Sequence, residues 1–127
     1  MRTVLWSDDD PVLMRLLENW FTKLGSKNYR FIGVKGGKDA LKVVRGRKKI
    51  DVLVTDLANP QMHGTDLIIE ARKRRPSLPV LIASAFPESV ISDLRMKGGK
   101  TTRMRVFYKP FRPEELAPTI EALTKGS

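Results

Sequence analysis

The sequence predicts an α/β protein, a doubly wound sheet of five parallel strands with five helices covering both faces. Two observations carry that prediction. Strand-like and helix-like segments alternate from one end to the other, each strand followed by a helix. The first, third and fourth strands are continuous apolar runs rather than alternating ones, the pattern of strands buried on both sides. Right-handed crossovers then leave few arrangements of the sheet.

The elements follow in order. RTVLW (2–6) reads as a buried strand. Asp10 stands as N-cap of the next helix, with Pro11 at its first position. Residues 11–24 carry apolar side chains at 13, 16, 17, 20, 21 and 24, a helical period, and Gly25 ends the run. YRFIGV (29–34) is the second strand, and 37–46 a short helix closed by Gly46. DVLVT (51–55) is the third strand, and 65–75 a helix stopped before Pro76. PVLIAS (79–84) is the fourth strand, and 87–98 a helix ending at a Gly pair. RVFY (105–108) is the fifth strand, and 112–125 the last helix, which Pro118 should kink or weaken.

At 127 residues the chain fits one domain, 1–127, with one core. Its apolar runs are too short to span a bilayer, no apolar signal core follows a charged start, and no membrane role is expected. With no Cys there is no disulfide or thiolate metal site, which fits a cytoplasmic protein. The net charge of +10 admits nucleic acid, an acidic protein or an anionic surface as partner, and says nothing of fold.

In such sheets ligands bind beyond the carboxyl ends of the strands. There the first strand runs into Asp8, Asp9 and Asp10, the third into Asp56, the fourth into Ser84, and the fifth into Lys109 and Pro110. Crowded carboxylates repel unless a cation joins them, and oxygen ligands with room for water suit Mg²⁺. Such a site handles a phosphoryl group: Asp56 as nucleophile, Lys109 pairing with one phosphoryl oxygen, Ser84 hydrogen-bonding another. Asp10 reads as a helix cap, and His63, the only His, as a surface loop residue. Phe86 reads either as a shield over the site or as an edge-of-core aromatic.

VLWSDDDP (4–11), VLVTDLANPQMHG (52–64), VLIASA (80–85) and VFYKPF (106–111), in that order and spacing, resemble the receiver domain of bacterial two-component response regulators. The resemblance covers residues 2–125. It implies a flavodoxin-like fold with strand order 2-1-3-4-5. It implies Asp56 as phosphoacceptor, taking phosphate from the histidine of a sensor kinase or phosphotransfer protein. It also implies Mg²⁺ held by Asp9 and Asp56 directly, by Asp8 through water, and by the backbone carbonyl of Ala58, with Ser84 and Lys109 reading the phosphorylated state. Output would come from altered contacts with an unknown partner, with enzymatic activity limited to self-phosphorylation and slow self-dephosphorylation.

The chain departs from the family pattern in places. Asn59 stands where Met is usual, Trp6 and Ser7 where small aliphatics are usual, and Val106 at the aromatic switch position, with Tyr108 on the same strand face as a candidate substitute. The segment 97–105 replaces a short acidic lead into the fifth strand. These departures keep a second reading open, a degenerate receiver that binds protein or nucleic acid without phosphate. A third reading is a phosphatase of the haloacid dehalogenase type, because DDDPV (8–12) fits its nucleophile motif, although the acidic pair expected after Lys109 is missing.

Cations concentrate at the helix C-termini, in 42–49, 72–75 and 95–105, which predicts a basic pole opposite the acidic one. Pairing with helix dipoles explains it more simply than nucleic acid does, since no aromatics are interleaved.

Overall fold

The computed structural model describes residues 1–24, 29–59 and 61–125. Strands β1 (Arg2–Ser7), β2 (Tyr29–Val34), β3 (Val52–Asp56), β4 (Val80–Ser84) and β5 (Met104–Tyr108) form one parallel sheet in the order β2-β1-β3-β4-β5. Helices α1 (Pro11–Asn19), α2 (Gly37–Arg45), α3 (Gly64–Arg74), α4 (Pro87–Met96) and α5 (Pro113–Thr124) cover it.

Alternate residues of each strand face opposite sides, and the core divides accordingly. Leu5, Leu53, Val80 and Ile82 pack with buried residues of α2, α3 and α4. Val4, Trp6, Val52, Val54 and Leu81 pack on the other side with Leu17, Phe21 and the α5 residues Leu116 and Ile120. Trp6, 1% exposed, explains why so large a residue suits a central strand. Its ring lies against Phe21, Phe31 and Phe111, with centroids 6.3, 6.5 and 5.6 Å away.

Several boundaries differ from the sequence reading. The first helix is α-helical only to Asn19 and continues as a π-helical turn over Trp20–Leu24. Both forms bring Phe21 to the core, so the apolar spacing could not distinguish them. Gly25, expected to end that helix, lies outside the described residues. The third strand starts at Val52, because the Asp51 carboxylate accepts the Thr3 N–H at 2.7 Å and closes the strand's entry. α5 runs unbroken through Pro118, which the packing of Leu116 and Ile120 against the sheet offsets. Asp10 caps α1 as expected, its carboxylate accepting the N–H groups of Val12 and Leu13.

The basic edge of the sheet is held together by arginines. Arg72 donates to the carbonyls of Leu78, Lys100, Thr102 and Arg103, joining α3 to the segment before β5. Arg75 donates to the carbonyls of Val44, Gly46 and Lys48, joining α3 to the loop after α2. Burial, followed by the nearby charge of Arg103, lowers the Arg72 pKa from its usual value. These two cations have a structural use that neither helix dipoles nor a nucleic-acid partner would require.

Candidate functional site

Parallel strands carry their last residues to one edge, where Asp56 ends β3. Lys109, just past β5, reaches it: its Nζ lies 2.5 Å from Asp56 Oδ2. The lysine side chain is 39% exposed and that of Asp56 16%, so the pair sits half-open at the surface. Asp56 Oδ1 also accepts a long hydrogen bond, 3.4 Å, from the Ala58 N–H. Gly64 opens α3 so close to this strand that a Cβ there would meet the Asp56 carbonyl oxygen at 2.7 Å. Glycine at 64 is therefore a demand of space, and it lets the chain leave the site tightly. Pro60, the other half of the expected turn, lies outside the described residues.

Asp8 is 5% exposed, and its Oδ1 accepts the Asp10 N–H at 3.0 Å. Burial pushes its carboxyl above the usual range, and the charges of Asp56 and Asp9 push the same way. The Asp10 N–H and the Lys109 charge oppose them. Asp9 beside it is exposed. Ser84 is 3% exposed and follows Ala83, the register partner of Asp56 across β3–β4. Its hydroxyl accepts the Phe86 N–H at 2.9 Å. Asp8, Asp56 and Lys109 thus act on one another, while the Ser84 hydroxyl is turned to its own loop. A cleft of about 430 Å³ opens from Asp8 and Asp9 along Met14, Phe31 and Gly33.

The donor chemistry fits a hard divalent cation. The charging of Asp8 is opposed by burial and by the charges of two neighbouring carboxylates, a cost that a cation would relieve. Among the described residues, however, no three acidic or His side chains close into a ready metal cage. In this geometry Lys109 supplies the positive charge on Asp56.

Of the other residues singled out, His63 is the exposed loop residue expected, and Phe86 departs from one of its two readings. Phe86 is 71% exposed, so it is no edge-of-core aromatic. His63 Nδ1 lies 2.8 Å from Thr65 Oγ1, in a network where Thr65 and Lys97 bond Asp93 and link α3 to α4. The Thr65 hydroxyl, then Lys97, holds the Asp93 carboxyl below its usual range. Val106 packs on the core beside α4, and Tyr108, level with Ser84 in the β4–β5 register, is 62% exposed.

One feature escaped the sequence reading. Asn59 and Ser7, noted only as separate departures, are buried partners, with Asn59 Nδ2 donating to Ser7 Oγ at 2.6 Å. Ser7 ends β1 and Asn59 lies in the loop three residues past the end of β3, so the sequence marks each as a polar departure but does not pair them.

The chain matches the model of the response regulator receiver domain over residues 4–121. It is 31% identical over 123 residues to the probable transcriptional regulatory protein TcrX of Mycobacterium tuberculosis, covering 97% of this chain and 50% of that protein. It is 35% identical over 90 residues to the transcriptional regulatory protein GlrR of Escherichia coli, covering 68% of this chain and 19% of that protein. The chain therefore spans half or less of the length of these relatives. The chemotaxis protein CheY of Thermotoga maritima is 28% identical, with 99% of this chain and 98% of that one aligned. Among solved structures, the receiver domain of a Francisella response regulator superposes with a TM-score of 0.78 at 27% identity, covering 98% of each chain.

Proposed function

The chain belongs to the receiver-domain family of response regulators, and from that premise we propose that it is a phosphorylation switch with Asp56 as phosphoacceptor. Receiver domains are signalling domains rather than classical enzymes, and residues 1–127 are read as one such unit. The observation that carries this reading is the Asp56–Lys109 pair at the carboxyl end of the central strand.

An Asp56 carboxylate oxygen attacks the phosphorus of a phosphohistidine on a sensor kinase or phosphotransfer protein. The P–N bond breaks, the imidazole leaves with its electron pair, and an acyl phosphate remains on Asp56. Lys109 exchanges its carboxylate partner for a phosphoryl oxygen, and the Ser84 hydroxyl turns from the Phe86 N–H to donate to another. Asp8, Asp9, Asp56 and the Ala58 carbonyl would hold Mg²⁺, which supplies positive charge to the phosphoryl oxygens. Self-dephosphorylation follows by water attack on the same phosphorus. The phosphatase alternative loses support because the Asp10 carboxylate is engaged in capping α1. Nucleic acid as partner loses support because Arg72 and Arg75 are engaged with loop carbonyls. No helix among the described residues is long and apolar enough to cross a membrane, and we place the protein in the cytoplasm with other kinase-driven switches.

The test is acetyl phosphate with Mg²⁺. Intact mass should rise by one phosphoryl group in the wild type and stay unchanged in Asp56→Asn. A rise in both would contradict the assignment.

One observation favours a second reading, a receiver that acts without phosphate: the switch position holds Val106, half-buried against the core. Beryllofluoride with Mg²⁺ should shift amide resonances around Asp56 under the first reading and leave them in place under the second.

A further inference from the structure

A buried polar chain ties the loop after β3 to α2, and the phosphoryl chemistry makes no use of it. Asn59 is 8% exposed and its amide is fully engaged. Nδ2 donates to Ser7 Oγ at 2.6 Å and to Thr55 Oγ1 at 3.4 Å. Oδ1 accepts the Gly37 N–H at 2.6 Å and the Gln61 N–H at 3.4 Å. Gln61 extends the link, its Oε1 accepting the Asp39 N–H and its Nε2 donating to Asp39 Oδ2. The N-cap of α2 is Gly36, which has no side chain to satisfy the first-turn N–H groups, so the loop satisfies them instead. The fit is close: a Cβ on Gly37 would lie 2.7 Å from Met62 Cβ, and one on Gly36 2.4 Å from Gln61 Cδ.

A buried amide with partners on three elements resists separate movement of any of them, because each lost bond strands a polar group away from water. Asn59 is adjacent to Ala58 and three residues from Asp56. We propose that Asn59, anchored by Ser7, is a positioning residue that couples the phosphoacceptor loop to the first turn of α2, so that phosphorylation of Asp56 shifts that turn. The inference rests on Asp56 being the phosphoacceptor. It gives the switch a route through α2 that does not depend on an aromatic at position 106.

The experiment uses the full ¹⁵N-labelled chain with acetyl phosphate and Mg²⁺, reading intact mass and the Gly37 and Asp39 amide resonances on the same samples. The wild type gains one phosphoryl group and both resonances move. Asn59→Met still gains the group, but the two resonances no longer respond to it. Ser7→Ala/Asn59→Met, which replaces both buried partners with apolar groups and so guards against simple misfolding, loses the response in the same way. Asn59→Asp keeps an acceptor for Gly37 and accepts from the Ser7 hydroxyl, and it restores the response. A response that survives in phosphorylated Asn59→Met or in the paired variant overturns the coupling, as does a phosphorylated wild type with unmoved resonances. A wild type that gains no mass overturns the phosphoacceptor reading and takes the coupling with it.

Discussion

The two edges of the sheet treat charge in opposite ways. At the amino edge, Arg72 and Arg75 turn their guanidinium groups inward onto seven carbonyls, that of Val44 in the last turn of α2 and those of Gly46, Lys48, Leu78, Lys100, Thr102 and Arg103 in loops. At the carboxyl edge, Asp8 is buried against other carboxylates, and Lys109 is the cation set against Asp56. The first arrangement ties α3 to the end of α2 and to the loops on either side of it through bonds within the chain. In the second, the charge on Asp8 is opposed first by burial and then by the neighbouring carboxylates. Charge bonded to backbone carbonyls and charge buried among like charges can therefore be told apart by their partners, even where the sequence alone does not separate them.

Substitutions at the two edges should move stability in opposite directions. The largest effect is expected at Arg72. Arg72→Ala removes a charged donor from four carbonyls, the Leu78 carbonyl among them, and should cost about 3 kcal/mol of unfolding free energy in urea melts. A loss below about 0.5 kcal/mol, the range of an ordinary surface change, would break the contrast.

Next comes Asp8→Asn, which keeps an oxygen for the Asp10 N–H and removes a charge that burial opposes. It should stabilise the fold at neutral pH by about 1 kcal/mol, the scale of a favourable single substitution. The raised carboxyl pKa gives the sign: between the unfolded and folded pKa values the folded state binds more protons. The wild type therefore loses stability as pH rises through that window, and the gain in Asp8→Asn should vanish below it. A gain that persists at the acid end would point to packing instead of charge.

The smallest effect is expected at Lys48, whose side chain is exposed although Arg75 binds its carbonyl. Lys48→Ala should change stability by less than about 0.5 kcal/mol. A larger loss would mean that the basic edge as a whole, and not its two clamps, holds the loops.

The contrast also explains what could be read in advance. The sheet was legible because strands buried on both faces must be apolar throughout, and the loop carboxylates were legible because they interrupt those runs at their ends. In RKRR (72–75) four cations look equivalent in sequence, and only the third dimension separates the clamps Arg72 and Arg75 from the exposed Lys73. The Ser7–Asn59 bond joins residues 52 positions apart, so neither position announces the other. Phe86 could be read two ways because an aromatic beside a buried strand resembles one that packs; its place at the exposed start of α4 removes the edge-of-core reading. The π-helical turn at Trp20–Leu24 stayed hidden because its apolar residues keep a helical spacing.

The most direct test asks which carboxylate carries the phosphoryl group. Borohydride reduces an aspartyl phosphate to homoserine, so chain treated with acetyl phosphate and Mg²⁺, then reduced and digested, records the residue that reacted. Homoserine should replace Asp56 and no other residue. Homoserine at Asp8, or none at all, would contradict the account of the carboxyl edge as a phosphoacceptor site built on Asp56.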